Sequence, residues 1–142
     1  MANEIFNSIG FIGEETRVKE IMENIKNDED GFGSIDFDKV IPMPEAINIT
    51  EYEWCLENWG TKCNACEFFE SKQAFEILFS TAWSAPHPIL KELARMYPDV
   101  EIAHEWEDWE SEEDDEDGYG FKLLGRKYKG DFVSAIYYPV VD

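Results

Sequence analysis

Basic residues are scarce in this chain. Its 142 residues include 12 lysines and arginines against 32 aspartates and glutamates, a formal net charge of −20. That deficit excludes nucleic-acid binding through phosphates, which needs a lysine- and arginine-rich surface. It equally disfavours anionic membranes. Histidine is rarer still, with only His87 and His104. The three cysteines, Cys55, Cys63 and Cys66, are an odd number and make no disulfide framework. The opening "MANEIFNSIG" lacks the basic start and apolar run of a secretory signal, and no apolar run approaches the roughly 18 residues of a membrane span. Glycine-rich phosphate loops are missing too, because "GFGS" is followed by neither lysine nor helix. The reading is a cytoplasmic protein with reduced thiols.

Apolar matter is ample. Hydrophobic residues make up 44% and aromatics 15%, which is too much for a disordered chain and suits one domain, residues 1–142, around one core. Residues 4–13 alternate as a strand, with Ile5, Asn7, Ile9 and Phe11 on one face and Phe6, Ser8 and Ile12 on the other. Val18, Ile21, Met22 and Ile25 follow at helical spacing. Pro42 and Pro44 make the next stretch an irregular connection. "NACEFFES" and "AFEILFSTAW" read as two strands. A second helix follows, with Ser84 as its cap, Pro86 and Pro88 in its first turn, and a stripe of Ile89, Leu90, Leu93, Met96 and Tyr97. "DVEIAHEWE" is a strand, and "GYGFKLLGRKY" and "DFVSAIYYPVV" form a hairpin turning at Lys129 and Gly130. The order β-α-β-β-α-β plus a hairpin predicts an α+β, ferredoxin-like antiparallel sheet with two helices on one face.

Two blocks stand out. "ENWGTKCNA" carries Asn58, Trp59, Gly60, Thr61, Lys62, Asn64 and Ala65, and "STAW" continues into Ser84 by way of Thr81, Ala82 and Trp83. With "NSIGFIG" and "DFDKVIPMP", these resemble the Api-like family of small phage and plasmid proteins. Cys63 stands where that family carries a second tryptophan. The resemblance implies a ferredoxin-like domain and a mobile-element origin, and it brings no activity with it. Read on their own chemistry, the blocks have two roles open to them. Trp59 and Trp83 are large enough to plug the core where the sheet meets the first connection. Alternatively, Asn58, Trp59, Lys62 and Trp83 line a cleft for a small ligand.

Chemistry-bearing patterns are weak. Cys63 and Cys66 form half of a zinc site, with Cys55, His87 or His104 as candidate completions and no second pair at ligand spacing. A calcium loop begun at Glu113 places Asp115, Asp117 and Gly118 suitably but meets Leu124 where a bidentate glutamate is required. A cysteine with either histidine would make a nucleophile and base, but neither histidine sits in a recognisable catalytic setting. The expectation is no enzyme activity, no catalytic residues, no metal and no cofactor.

The acidic run dominates. Ten of the thirteen residues from Glu105 to Asp117 are acidic: Glu105, Glu107, Asp108, Glu110, Glu112, Glu113, Asp114, Asp115, Glu116 and Asp117. Trp106 and Trp109 sit among them. A solvated loop at about 105–118, between two strands, is the plain reading. If extended, thirteen residues span roughly 43 Å at about 3.3 Å each, a length over which one duplex strand carries about thirteen phosphates. Strand alternation sends Trp106 and Trp109 to opposite faces, so one ring is expected to be exposed as a contact anchor. Lys122, Arg126, Lys127 and Lys129 on the hairpin work against a free acidic surface. The resulting expectation is an accessory protein that binds and inhibits a host nucleic-acid-binding defence protein, of the anti-CRISPR or anti-restriction kind, by imitating nucleic acid. A small-ligand or metal-binding module around the tryptophan blocks is the alternative, with a structural phage protein as a third reading.

Overall fold

The computed structural model describes residues 4–108, 123–130 and 132–137. Its elements are β1 (Glu4–Ile12), α1 (Glu15–Ile25), α2 (Phe37–Val40), α3 (Glu51–Asn58), β2 (Cys66–Phe69), β3 (Glu76–Ala82), α4 (His87–Met96), β4 (Glu101–Asp108), β5 (Leu123–Lys129) and β6 (Phe132–Tyr137). The strands form one sheet in the order β2-β3-β1-β4-β5-β6, with every neighbouring pair antiparallel. The first four strands have the order of a ferredoxin-like sheet, and the hairpin extends it beyond β4.

Alternation decides the strand faces. Ile5, Asn7, Ile9 and Phe11 of β1 are buried, whereas the residues between them are half-buried. Ile9 lies opposite Ile77 on one side and His104 on the other. Helix α1 presents Val18, Ile21, Met22 and Ile25 to the core, and α4 presents Ile89, Leu90, Leu93 and Ala94. These residues share one cluster with Phe79, Val100, Ile102 and Tyr128, so the helices cover a single face of the sheet. Each such aliphatic side chain contributes about 1.5–3 kcal/mol on burial. At the β1–α1 corner, a Cβ on Gly13 would come within 2.8 Å of Val100 Cγ1, so only glycine lets the corner close onto that side chain.

The long connection departs from the sequence expectation. Pro42 and Pro44 do keep a strand out, but the flanking residues are helical. Asp36 accepts from Asp38 N at 3.0 Å and caps α2, which delivers Phe37 and Val40 to the core. Thr50 and Glu53 form a reciprocal capping box that starts α3. Only Trp54 and Cys55 of α3 are buried, too few for a visible apolar stripe. Among the described residues there are therefore four helices rather than two. Ser84 is also not the cap of α4. That helix begins after Pro86 with no side-chain cap, and Pro88 in its first turn needs no amide partner. The Ser84 hydroxyl donates to the Gly60 carbonyl instead.

Candidate interaction surface

The face of the sheet turned away from the helices carries the acidic chemistry. On β4 this row is Glu101, Ala103, Glu105 and Glu107, all half-buried. Their β1 partners are Ile12, Gly10, Ser8 and Phe6 in that order, so small or apolar residues separate the carboxylates from β3. On the other side Lys127 lies opposite Ala103 and is exposed. Arg126 pairs with His104 and therefore belongs to the opposite face, where its guanidinium sits 5.4 Å from the centre of the Trp106 ring. One of the basic residues expected to neutralise the run is thus on the face opposite Glu101, Glu105 and Glu107. Trp109, Glu110, Glu112, Glu113, Asp114, Asp115, Glu116 and Asp117 lie outside the described residues, as does Lys122. Asp108 pairs with Ile5 at the end of β4.

Trp106 is not an exposed anchor. It is 8% exposed and packs with Ile5 and Ala85. The His104 ring stacks on it at 4.8 Å, and the His87 ring meets it edge-on at 4.6 Å. The reason is parity: Trp106 shares the face of Ile102 and His104, which α4 covers.

The two tryptophan blocks close on one another as a clamp, which turns Trp59 into the core and leaves Lys62 half-buried and Trp83 exposed. Trp59 is buried, donates from Nε1 to the Ile41 carbonyl at 2.8 Å, and meets Phe37 and Trp54 edge-on. Asn58 Nδ2 donates to the Trp54 carbonyl within its own helix. The Ala82 carbonyl accepts from Thr61 Oγ1 at 2.6 Å and from Lys62 N at 3.2 Å. Thr81 Oγ1 donates to the Ser84 carbonyl at 2.8 Å. Between these fixed points Trp83 takes φ 77°, a conformation costing about 1–3 kcal/mol for a bulky residue. Its ring turns outward beneath the Lys62 ammonium at 4.8 Å and against Tyr52 at 6.1 Å.

A buried polar chain runs through the same region. His104 Nε2 and Asn7 Oδ1 are 2.9 Å apart, and Asn7 Nδ2 donates to Thr81 Oγ1 at 2.9 Å. His104 Nδ1 has no partner among the described residues. Burial, then the charges of His87 and Arg126, hold His104 well below its ordinary pKa. Burial, with Arg126 and Lys91, pushes His87 down to about 4. Both rings are therefore neutral near pH 7. Nothing local in the sequence announced this pairing, because β4 and α4 meet only through the fold. The thiols divide differently: Cys55 is buried, whereas Cys63 and Cys66 are exposed. No group of three or more histidine, cysteine or acidic side chains comes together in metal-binding geometry among the described residues. No helix among them is long and apolar enough to cross a membrane.

A second surface feature escaped the sequence reading. Phe32 and Phe69 are 51% and 45% exposed and line one groove with Phe68 and Met22. The available signals were a phenylalanine set between two turn glycines and a doubled phenylalanine on a short strand.

A family model described as the ferredoxin-like domain in Api92-like protein matches residues 53–120. The match runs from within α3 through β4 and on into the acidic run. Strand β1, outside it, lies between the matched β3 and β4. No curated protein and no solved structure matches the chain.

Proposed function

We propose that this chain, which carries the ferredoxin-like domain of Api92-like proteins over residues 53–120, is a mobile-element accessory protein that binds a basic host protein. The observation behind the proposal is the arrangement of β4. Glu101, Glu105 and Glu107 lie along one row of the helix-free sheet face, and the chain continues from there into the acidic residues 110–117. A rigid sheet holding carboxylates in register costs less ordering on binding than a free acidic tail would. Like charges brought together this way lower the stability of the isolated protein, and a cationic groove would relieve that repulsion.

In its concrete form the proposal is inhibition by competition. The protein occupies the nucleic-acid channel of a bacterial defence nuclease, of the anti-CRISPR or anti-restriction kind, and excludes the duplex. The burial of Trp106 leaves Trp109 as the aromatic anchor in this reading. No catalytic step is assigned to the protein, and its partner is a lysine- and arginine-rich surface.

Direct measurement with purified defence nucleases tests this. Affinity is expected to fall steeply as salt rises from 50 to about 300 mM, because charge steering is screened within about a Debye length. The protein should displace labelled duplex from the nuclease. Reversing four charges between Glu112 and Asp117 to lysine should slow association at least tenfold. Unchanged association after the reversal, or a ternary complex that retains the duplex, overturns the proposal.

A further inference from the structure

The groove lined by Phe32 and Phe69 has a volume of about 420 Å³, within the range of small-ligand sites. Its walls are built, not incidental. The turn that holds Phe32 is fixed by Asn27, whose Oδ1 accepts from Glu29 N at 2.8 Å and from Asp30 N at 3.2 Å. Ser34 Oγ accepts from Asn27 N at 2.8 Å and closes the same turn. Gly31 and Gly33, at φ 81° and 98°, flank Phe32 and allow the chain to reverse around it. Across the groove, Phe69 packs on Phe6 at 5.6 Å and Phe68 on Phe79 at 6.3 Å.

The polar lining is of one sign. Asp30, Glu70 and Glu76 line the groove, and no lysine or arginine does. Glu76 is oriented by Ser8 Oγ, which donates to Oε2 at 2.9 Å, and by Ser71 Oγ, which donates to Oε1 at 2.5 Å. Aromatic walls with a carboxylate rim suit a ligand that is apolar along its length and cationic at its tip. A lysine or arginine side chain has that form: its methylenes cover apolar surface, its cation gains from ring faces, and its head meets the carboxylates. A hydrated divalent ion would be poorly served, because phenylalanine supplies no oxygen ligand.

We infer that this groove receives a lysine or arginine side chain of the basic partner. The inference rests on the reading that the partner is basic, and it locates the contact more closely. A second groove runs along β1, with Ser8, Gly10, Ile12, Ala103 and Glu105 in its walls, and it shares Gln73, Ala74 and Glu76 with the first. The two grooves join the aromatic pocket to the carboxylate row of β4. A partner segment seated with one cation in the pocket has the second groove, walled in part by Glu105, adjacent to it.

Amide NMR titration of the full chain with N-acetyl-argininamide, and in parallel with its neutral citrulline counterpart, provides the test. Saturable shifts are expected at Phe32, Phe69, Glu70 and Glu76 with the arginine compound, and at least tenfold weaker binding with citrulline. Glu70→Gln and Phe32→Ala, both at exposed positions, should each weaken arginine binding fivefold or more while the remaining spectrum is retained. Equal binding of citrulline would make the groove an apolar site only, and shifts spread over all acidic residues would make it no site; either result overturns the inference. Calcium displacing arginine stoichiometrically from the same residues would also overturn it, in favour of a metal site. Failure here is separable from failure of the proposed function. If reversal at 112–117 abolishes nuclease binding while Phe32→Ala and Glu70→Gln leave it intact, only the groove is wrong. If arginine binds the groove and the reversal has no effect, only the inhibitor reading is wrong.

Discussion

His104 Nε2 lies 2.9 Å from Asn7 Oδ1, and the bond has a defined direction. Asn7 Nδ2 already donates to Thr81 Oγ1 at 2.9 Å and to the Ile5 carbonyl at 3.3 Å, so its oxygen is the acceptor and His104 carries its proton on Nε2. All three side chains are fully buried. They tie β4, β1 and β3 together at the end of the sheet where Trp106 is seated.

Removing the central residue should therefore cost more than its size suggests. Asn7→Ala leaves the His104 N–H without its acceptor and Thr81 Oγ1 without its donor. Each orphaned buried group costs about 1–3 kcal/mol. Urea denaturation should show a loss of about 2–4 kcal/mol. A loss under about 1 kcal/mol would mean that water replaces the amide.

The histidine pair makes stability depend on pH. In the folded state His87 is pushed down to about 4 and His104 is held well below its ordinary value, chiefly by burial, while an unfolded histidine keeps its ordinary value of 6.5. As pH falls below 6.5 the unfolded chain takes up protons that the folded chain refuses. The contribution of the neutral rings is complete above 6.5 and is lost progressively toward pH 4. Asp28, Glu92 and Asp99, held below their ordinary values by Lys39, Arg95 and Arg17, lose stability in the same direction but at lower pH. Between pH 7 and 5, wild-type protein should lose more stability than His87→Phe, measured by parallel urea titrations. Equal losses would show that His87 titrates normally.

Gly60 is expected to tolerate no side chain. It has φ 80°, and a Cβ there would stand 2.5 Å from Pro88 Cδ. Proline cannot rotate away, so the loop or α4 must shift. Gly60→Ala should destabilise the protein by about 2 kcal/mol or more, from left-handed strain together with overpacking. Gly10→Ala, where a Cβ meets nothing within 4 Å, serves as the control and should cost under about 1 kcal/mol. A thermal melt that ranks the two the other way would contradict the clamp between the blocks.

The three thiols should react in sequence. Cys63 is exposed, the exposed Cys66 has its thiol pKa pushed up first by partial desolvation, and Cys55 is buried in the core with its pKa also raised. Thiolate fraction and access control the rate. A chromogenic disulfide reagent at pH 7.5 should modify Cys63 first and Cys66 more slowly, with Cys55 reacting only on unfolding. Rapid reaction of all three in native buffer would contradict the burial of Cys55 on the inner side of α3.

Local pattern determined much of this protein. The alternation of Ile5, Asn7, Ile9 and Phe11 and the spacing of Val18, Ile21, Met22 and Ile25 named their buried faces, because a strand repeats every two residues and a helix every 3.6. With the order of elements, that was enough for the ferredoxin-like sheet. The scarcity of basic residues likewise settled the sign of the surface before any coordinates. Helix α3 was not legible, since a capping box followed by only two buried residues leaves almost no periodic signal. Tertiary structure alone decided the fates of the tryptophans. Trp106 is covered because α4 crosses its face, Trp59 is sealed by a carbonyl from a distant turn, and Trp83 is displayed because its backbone is clamped on both sides. Burial of a given ring depends on what lies across from it, and that is set by contacts between residues far apart in the chain.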